Sequence, residues 1–233
     1  MSFVFPPAPQ AALAVAGSAD RFPVRRIFCV GRNYAAHAAE MGGEVDREAP
    51  WYFNKTPFSA TASGATVPYA PGTQNLHYEM ELVVALGAPI FMGTVAQAAD
   101  TVFAYGCGLD MTRRDLQQVG KDHRRPWDFG KDFEHGAILA PLTRAADFGE
   151  VTDQPIQLRQ NGVLKQDATL ADMVWSVPEV ISHLSHYYHL GAGDIIMTGT
   201  PAGVGPVQPG DVLDGTIGDL SPVSLTIVAP ESP

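Results

Sequence analysis

His77-Tyr78-Glu79-Met80-Glu81-Leu82-Val83-Val84-Ala85-Leu86 is the stretch on which the reading of this chain turns. From Leu82 to Leu86 it runs without a polar residue, the pattern of a strand covered on both faces. Side chains two apart on a strand share a face, so Glu79 and Glu81 converge on one point. Two carboxylates about 4 Å apart repel by roughly 4 kcal/mol at an effective dielectric near 20, before the cost of desolvating them. A third acidic residue, Asp110 in Gly108-Leu109-Asp110-Met111-Thr112-Arg113-Arg114-Asp115, also sits in strand-like sequence. Buried carboxylates need a partner. An all-oxygen set suits a hard divalent cation, Mg2+ or Mn2+ with Ca2+ as a further option, and three ligands on a six-coordinate ion leave room for substrate and water. The competing reading sets Glu79 and Glu81 at an exposed edge, or pairs them with Arg113, Arg114 or Lys131. The apolar continuation of the strand favours the metal.

Working outward, the 233 residues carry a formal charge of −10, a field that repels phosphate backbones and anionic lipid. Nucleic acid and membrane surfaces are therefore not expected partners, and no apolar run approaches the ~20 residues of a membrane helix. Two cysteines, Cys29 and Cys107, each within apolar sequence, give neither a disulfide framework nor a thiolate site. A cytoplasmic location follows, since the apolar Ala11 to Ala16 has no Lys or Arg before it and makes a poor signal peptide. Residues 1–22 read as a Pro/Ala-rich N-terminal arm and 23–233 as one domain. The 23 glycines and 19 prolines, spread along the chain, suit many short strands and turns.

Asn33 to Gly42 is alanine-rich and reads as a helix, which puts His37 and Glu40, three apart, on one face as a candidate catalytic dyad; the alternative is a histidine beside a solvated glutamate. A helix is expected over 95–102, followed by the strand that delivers Asp110. Asn161-Gly162 between two short strand patterns is a hairpin signal. Residues 178–190 read as one amphipathic helix whose His183, His186 and His189 fall at the surface, because Val180, Ile181, Leu184 and Tyr188 define its buried face. The run Asp194 to Met197 reads as a buried strand that opens into Thr198-Gly199-Thr200-Pro201, a glycine loop suited to an anionic ligand but lacking the Lys of a nucleotide P-loop.

Taken together, residues 24 to 228 resemble the fumarylacetoacetate hydrolase superfamily. The motifs that carry the resemblance, in order, are Gly31-Arg32-Asn33-Tyr34 with His37 and Glu40, Leu76 to Leu82, Asp110 to Gln117, Pro126-Trp127 with Lys131, Asn161-Gly162, and Gly193 to Ile196 with Thr198 to Pro201. The small acylpyruvate-cleaving members are nearest in pattern, above all the fumarylpyruvate hydrolases of gentisate degradation. The chain departs from them at Lys55-Thr56-Pro57, where Lys-Pro is usual, and at Phe133 to Ala137. The resemblance implies an α+β, β-rich roll or sandwich with peripheral helices, usually a homodimer, with Mg2+ or Mn2+ on Glu79, Glu81 and Asp110. It implies a small keto acid substrate, a base at His37 oriented by Glu40, and oxyanion donors at Lys131 and Gln117. Arg32, Arg114, Thr198, Gly199 and Thr200 are the expected substrate-binding residues. Rival activities on the same site are oxaloacetate decarboxylation and isomerisation or hydration of a related dicarboxylate. A non-catalytic, metal-stabilised protein is the alternative of another kind.

Overall fold

The apolar run after Glu79 forms the strand Met80–Leu86, with all seven residues buried. The structure, a computed structural model, describes residues 2–43 and 47–232. Around Met80–Leu86 an eight-stranded sheet is ordered Trp51–Lys55, Arg26–Gly31, Asp194–Met197, Met80–Leu86, Val102–Asp110, Ala137–Leu139 and Ala60–Ala62, with Thr143–Arg144 beside Val102–Asp110. Its pairings are antiparallel except Asp194–Met197 with Arg26–Gly31 and Ala137–Leu139 with Ala60–Ala62.

Alternation along these strands feeds two separate cores. Leu82, Val84 and Leu86 join Phe28, Val30 and Ile196 in one cluster, while Val83 and Ala85 join Ile27, Cys29, Ile195 and Met197 in the other. The first face is covered by a five-stranded sheet, Val163–Thr169, Pro155–Gln160, Val212–Ile217, Val223–Val228 and Ala65–Pro68, and by the helix Val177–Ser185. The second is covered by the hairpin of Ala12–Ala14 and Arg21–Pro23, which contributes Leu13 and Phe22. Each such large apolar side chain removed from water contributes roughly 1.5–3 kcal/mol. This is the β-rich α+β sandwich with peripheral helices that the sequence leads one to expect. Residues 2–10 are exposed, whereas strand Arg21–Pro23 crosses the expected boundary at residue 22.

Local signals explain the connections. Asn161 and Gly162 have φ of 53° and 77°, the left-handed pair that matches hairpin twist. Ser176 and Glu179 close a capping box at the start of Val177–Ser185. That helix ends earlier than the expected 190, because the chain is drawn into paired hydrogen bonds between Ile90 and Leu190. His183 is half-buried and stacks on Tyr52, while His186 and His189 are exposed beyond the helix end; Tyr188, expected on the buried face, is exposed there too, because the helix has stopped before it. The other two expected helices are shorter, Ala35–Glu40 and Val95–Ala99, the second cut off by strand Val102–Asp110. Among the described residues no helix is long and apolar enough to cross a membrane.

Candidate metal centre and active-site cleft

Strand register brings the three acidic residues together. The Asp110 amide donates to the Glu79 carbonyl at 2.8 Å, and Glu81 pairs with Gly108 on the neighbouring strand. Gly108 is required there, since a Cβ would come within 2.6 Å of Val83 Cγ2. Glu79, Glu81 and Asp110 are all buried and offer carboxylate oxygens within 4.8 Å of one another.

Three cations share this anionic cluster unequally. Lys131, at the end of the short helix Asp128–Lys131, donates to Glu79 Oε2 at 2.7 Å, Asp110 Oδ2 at 2.6 Å and Thr112 Oγ1 at 2.7 Å. Arg114 donates to Glu79 Oε1 at 2.5 Å and to Gln117 Oε1 at 2.7 Å. Burial alone would push the Glu79 carboxyl up, but Lys131 and Arg114 hold it well below the ordinary range. Lys131 is likewise disfavoured by burial, yet Asp110 and Glu79 outweigh that and raise its pKa. No cation among the described residues stands at ion-pair distance from Glu81. Burial, then the charges of Asp110 and Glu79, push its carboxyl well above the ordinary range, opposed in part by the charge of Lys131 and by the Gly199 amide at 2.9 Å. Lys55 Nζ stands 2.8 Å from Asp110 Oδ1 as an ion pair while donating to the carbonyls of Met111 and Lys131, so Oδ1 receives no hydrogen bond. A carboxylate without a counter-cation beside an oxygen without a donor is a set that fits a hard divalent cation.

Glu79 and Glu81 form the floor of a cleft, with Asp110 fully buried behind them. His37 lines it with Nδ1 3.2 Å from Glu40 Oε2, leaving Nε2 as the nitrogen available to a water. The Gly203 amide donates to both Glu40 oxygens, at 3.1 and 3.2 Å, fixing the second member of the pair. Burial lowers the His37 pKa despite the nearby Glu79 and Glu40, so the ring is neutral near pH 7 and competent to accept a proton. Trp51, Phe53 and Trp127 build an aromatic wall, Trp51 meeting Trp127 edge-on at 4.9 Å. Gly31 is needed under that wall, because a Cβ would strike the Trp51 ring.

The structure redistributes several expected roles. Arg32, Thr200, Gln117 and Lys131 line the cleft as expected of site residues. Arg114 also lines it; one N–H of each terminal nitrogen goes to Glu79 or Gln117, which orients these groups, and its other N–H groups include an Nε with no hydrogen-bond partner. Thr198 is turned into the sheet, bonding the Leu82 carbonyl through both its amide and its hydroxyl. The Gly199 amide serves Glu81, not a ligand in the cleft; its φ of 96° directs it there. Of the expected loop contacts, Thr200 is the one at the cleft; Gln166 donates to its Oγ1 at 2.8 Å, which leaves the hydroxyl proton to donate outward.

Four polar residues of this region escape a reading from sequence. Lys55 anchors Asp110, Asn33 ties Thr198 and Trp175 together through its side chain, Gln166 holds Met80, Thr200 and Pro201, and Lys121 lines the cleft mouth. The first three are at most 2% exposed, and a buried polar side chain signals itself by burial, which no local sequence pattern reports.

Fold and site together define a β-sandwich built around a buried carboxylate triad. Residues 26–228 match the family described as fumarylacetoacetate (FAA) hydrolase C-terminal, and the chain belongs to this family. It is 47% identical over 190 residues to a fumarylpyruvate hydrolase of a Ralstonia species, covering 80% of this chain and 98% of that one. It is 36% identical over 197 residues to an oxaloacetate tautomerase of Escherichia coli, covering 84% of this chain and 89% of the relative. The crystal structure of fumarylpyruvate hydrolase from Pseudomonas aeruginosa in complex with Mn2+ and pyruvate superposes with a TM-score of 0.94 at 41% identity, over 98% of this chain and all of that one.

Proposed function

We propose that this protein hydrolyses a carbon–carbon bond in an acylpyruvate, with fumarylpyruvate as substrate and fumarate and pyruvate as products. The observation that carries the reading is the meeting, in one cleft, of a neutral histidine–glutamate pair with a buried all-carboxylate cluster. Identity to the Ralstonia fumarylpyruvate hydrolase supports the choice of acyl group.

A divalent cation on Glu79, Glu81 and Asp110, Mg2+ or Mn2+, supplies Lewis-acid stabilisation of enolate charge and a template for the keto acid. His37 takes a proton from water at Nε2, with Glu40 fixing the ring and stabilising its charged form. The water oxygen adds to the acyl carbonyl carbon. The bond from that carbon to the pyruvate methylene breaks, its electron pair passes to the pyruvate fragment as an enolate, and protonation gives pyruvate. Gln117, whose Oε1 is held by Arg114, turns its amide N–H groups to the developing oxyanion, with the Thr200 hydroxyl as a further donor; Lys131, whose three N–H groups go to Glu79, Asp110 and Thr112, contributes positive charge beside it. The aromatic wall excludes water from the acyl chain.

Tautomerisation of oxaloacetate is a second reading, favoured by the 36% identity to the Escherichia coli tautomerase; it requires proton transfer at the same centre and no bond cleavage. Residues 23–233 form the catalytic domain in this proposal, assembled as a homodimer in the cytoplasm. The test is a parallel assay of fumarylpyruvate and oxaloacetate with Mn2+ and after chelation, products resolved by chromatography. Metal-dependent fumarate and pyruvate support the hydrolase; enol–keto exchange of oxaloacetate with no cleavage of fumarylpyruvate overturns it.

A further inference from the structure

Arg114, Gln117 and Lys121 fall at i, i+3 and i+7 of the helix Arg114–Asp122, so they share one face, and all three line the cleft. Gly130 lets the segment carrying Trp127 and Lys131 lie against that helix, since a Cβ there would come within 2.8 Å of the Gln117 nitrogen. The three side chains are used differently. Arg114 and Gln117 are tied together and, through Arg114, to Glu79. Lys121 stands one turn further out, about 6 Å along the helix axis from Gln117, with its ammonium 5.2 Å from the centre of the Trp127 ring.

Among the described residues no carboxylate pairs with Lys121. The same holds for Arg32, which lines the cleft from a backbone with φ of 55°, a left-handed conformation that non-glycine residues rarely adopt. Partial burial lowers the Lys121 pKa, and the charges of Arg114 and Arg32 lower it further, while Glu79, already paired with Lys131 and Arg114, opposes them, so among the described residues positive groups outnumber anions in this part of the cleft. An anionic group placed there removes both the repulsion and the desolvation penalty. Between this cationic mouth and the oxyanion donors runs the wall of Trp51, Phe53 and Trp127, the surface a flat conjugated chain packs against.

We propose that Lys121, with Arg32, binds the carboxylate at the far end of the acyl group, and that this pair selects acylpyruvates whose acyl chain ends in a carboxylate over those whose chain is neutral. The inference rests on the hydrolase reading above and deepens it. One helical turn separates the donor at the reacting carbonyl from the ammonium at the mouth, and a four-carbon trans-unsaturated diacid bridges a gap of that order. A diacid therefore satisfies both ends of the helix face at once, whereas a short neutral acyl group leaves Lys121 and Arg32 unpaired.

The experiment measures kcat and KM of wild type, Lys121→Met and Lys121→Arg with fumarylpyruvate and with acetylpyruvate, whose acyl group carries no charge. In Lys121→Met the preference for fumarylpyruvate, a ratio of kcat/KM values, falls roughly ten- to a hundred-fold, the loss of a hydrogen bond between charged groups. The change lies in KM rather than kcat, and Lys121→Arg restores most of it. Equal changes with both substrates, or no change in the ratio, overturn the inference while leaving the hydrolase reading intact. A wild-type protein that cleaves neither acylpyruvate overturns both.

Discussion

At the floor of the cleft the charged groups are tied to one another: Lys131 and Arg114 meet Glu79, Lys55 and Lys131 flank Asp110, and the Gly199 amide serves Glu81. At its mouth Lys121 and Arg32 pair with no carboxylate among the described residues. The three carboxylates of the floor are carried by the paired strands and are at most 5% exposed, so their geometry is set by sheet register. The mouth stands on a helix end and a strained loop, where side chains remain free to meet a ligand. Chemistry common to a family suits the first kind of construction, and discrimination among acyl groups suits the second.

The sharpest way to break this contrast is at Asp110. Asp110→Asn leaves the Lys55 and Lys131 ammonium groups buried beside a neutral amide, and breaking buried pairs in this way costs about 3–5 kcal/mol. Denaturant unfolding reads that loss, and activity disappears with it; wild-type stability in the variant would show that the floor is not preorganised by these pairs.

Next is the dyad. His37→Ala is expected to lower kcat about 10²- to 10⁴-fold while leaving Mn2+ binding by calorimetry in place. In the wild type the base works when neutral. Because its pKa is lowered, the rate rises with pH through a midpoint below the ordinary histidine value and is flat above it. An ascending limb centred above pH 6.5 would assign the proton transfer to another group.

Glu81 gives a subtler effect of opposite sign. Its carboxyl is raised, so in metal-free protein the burial penalty is absent at low pH and grows as pH climbs from the ordinary glutamate value toward the raised one. Glu81→Gln removes that penalty. The metal-free variant melts at or above the wild-type temperature near pH 7, yet gains nothing from added Mn2+; an undiminished Mn2+ shift would remove Glu81 from the ligand set. The smallest change is at the rim of the floor: Thr200→Val loses one donor at the cleft and lowers kcat/KM by about ten-fold or less.

How much of this was legible differs by residue for physical reasons. Glu79 and Glu81 were readable from period-two spacing within an apolar strand, His37 and Glu40 from helical spacing, and the hairpin from Asn161-Gly162, because each signal is local. Lys55 reaches Asp110 across 55 positions and Gln166 reaches Thr200 across 34, and proximity of that kind exists only after strands pair. The loop at Thr198 to Thr200 misleads for a related reason. Glycine gives the amides freedom to turn, but the direction they take was set by Glu81 on a distant strand. Nor does anything local in sequence show that Arg114 is tied to Glu79 and Gln117.

Strand Asp194–Met197 lies between Arg26–Gly31 and Met80–Leu86, with its parallel pairing joining segments 168 residues apart. A ribosome therefore delivers both flanking strands long before the piece that separates them. Until residue 197 has emerged the main sheet has a missing middle rung, and Glu81 lacks the amide that later meets it. The nascent chain thus carries two half-sheets with adjacent open edges, and the strand that joins them also brings the amide that meets Glu81, so closing the sheet and completing the carboxylate site are one event.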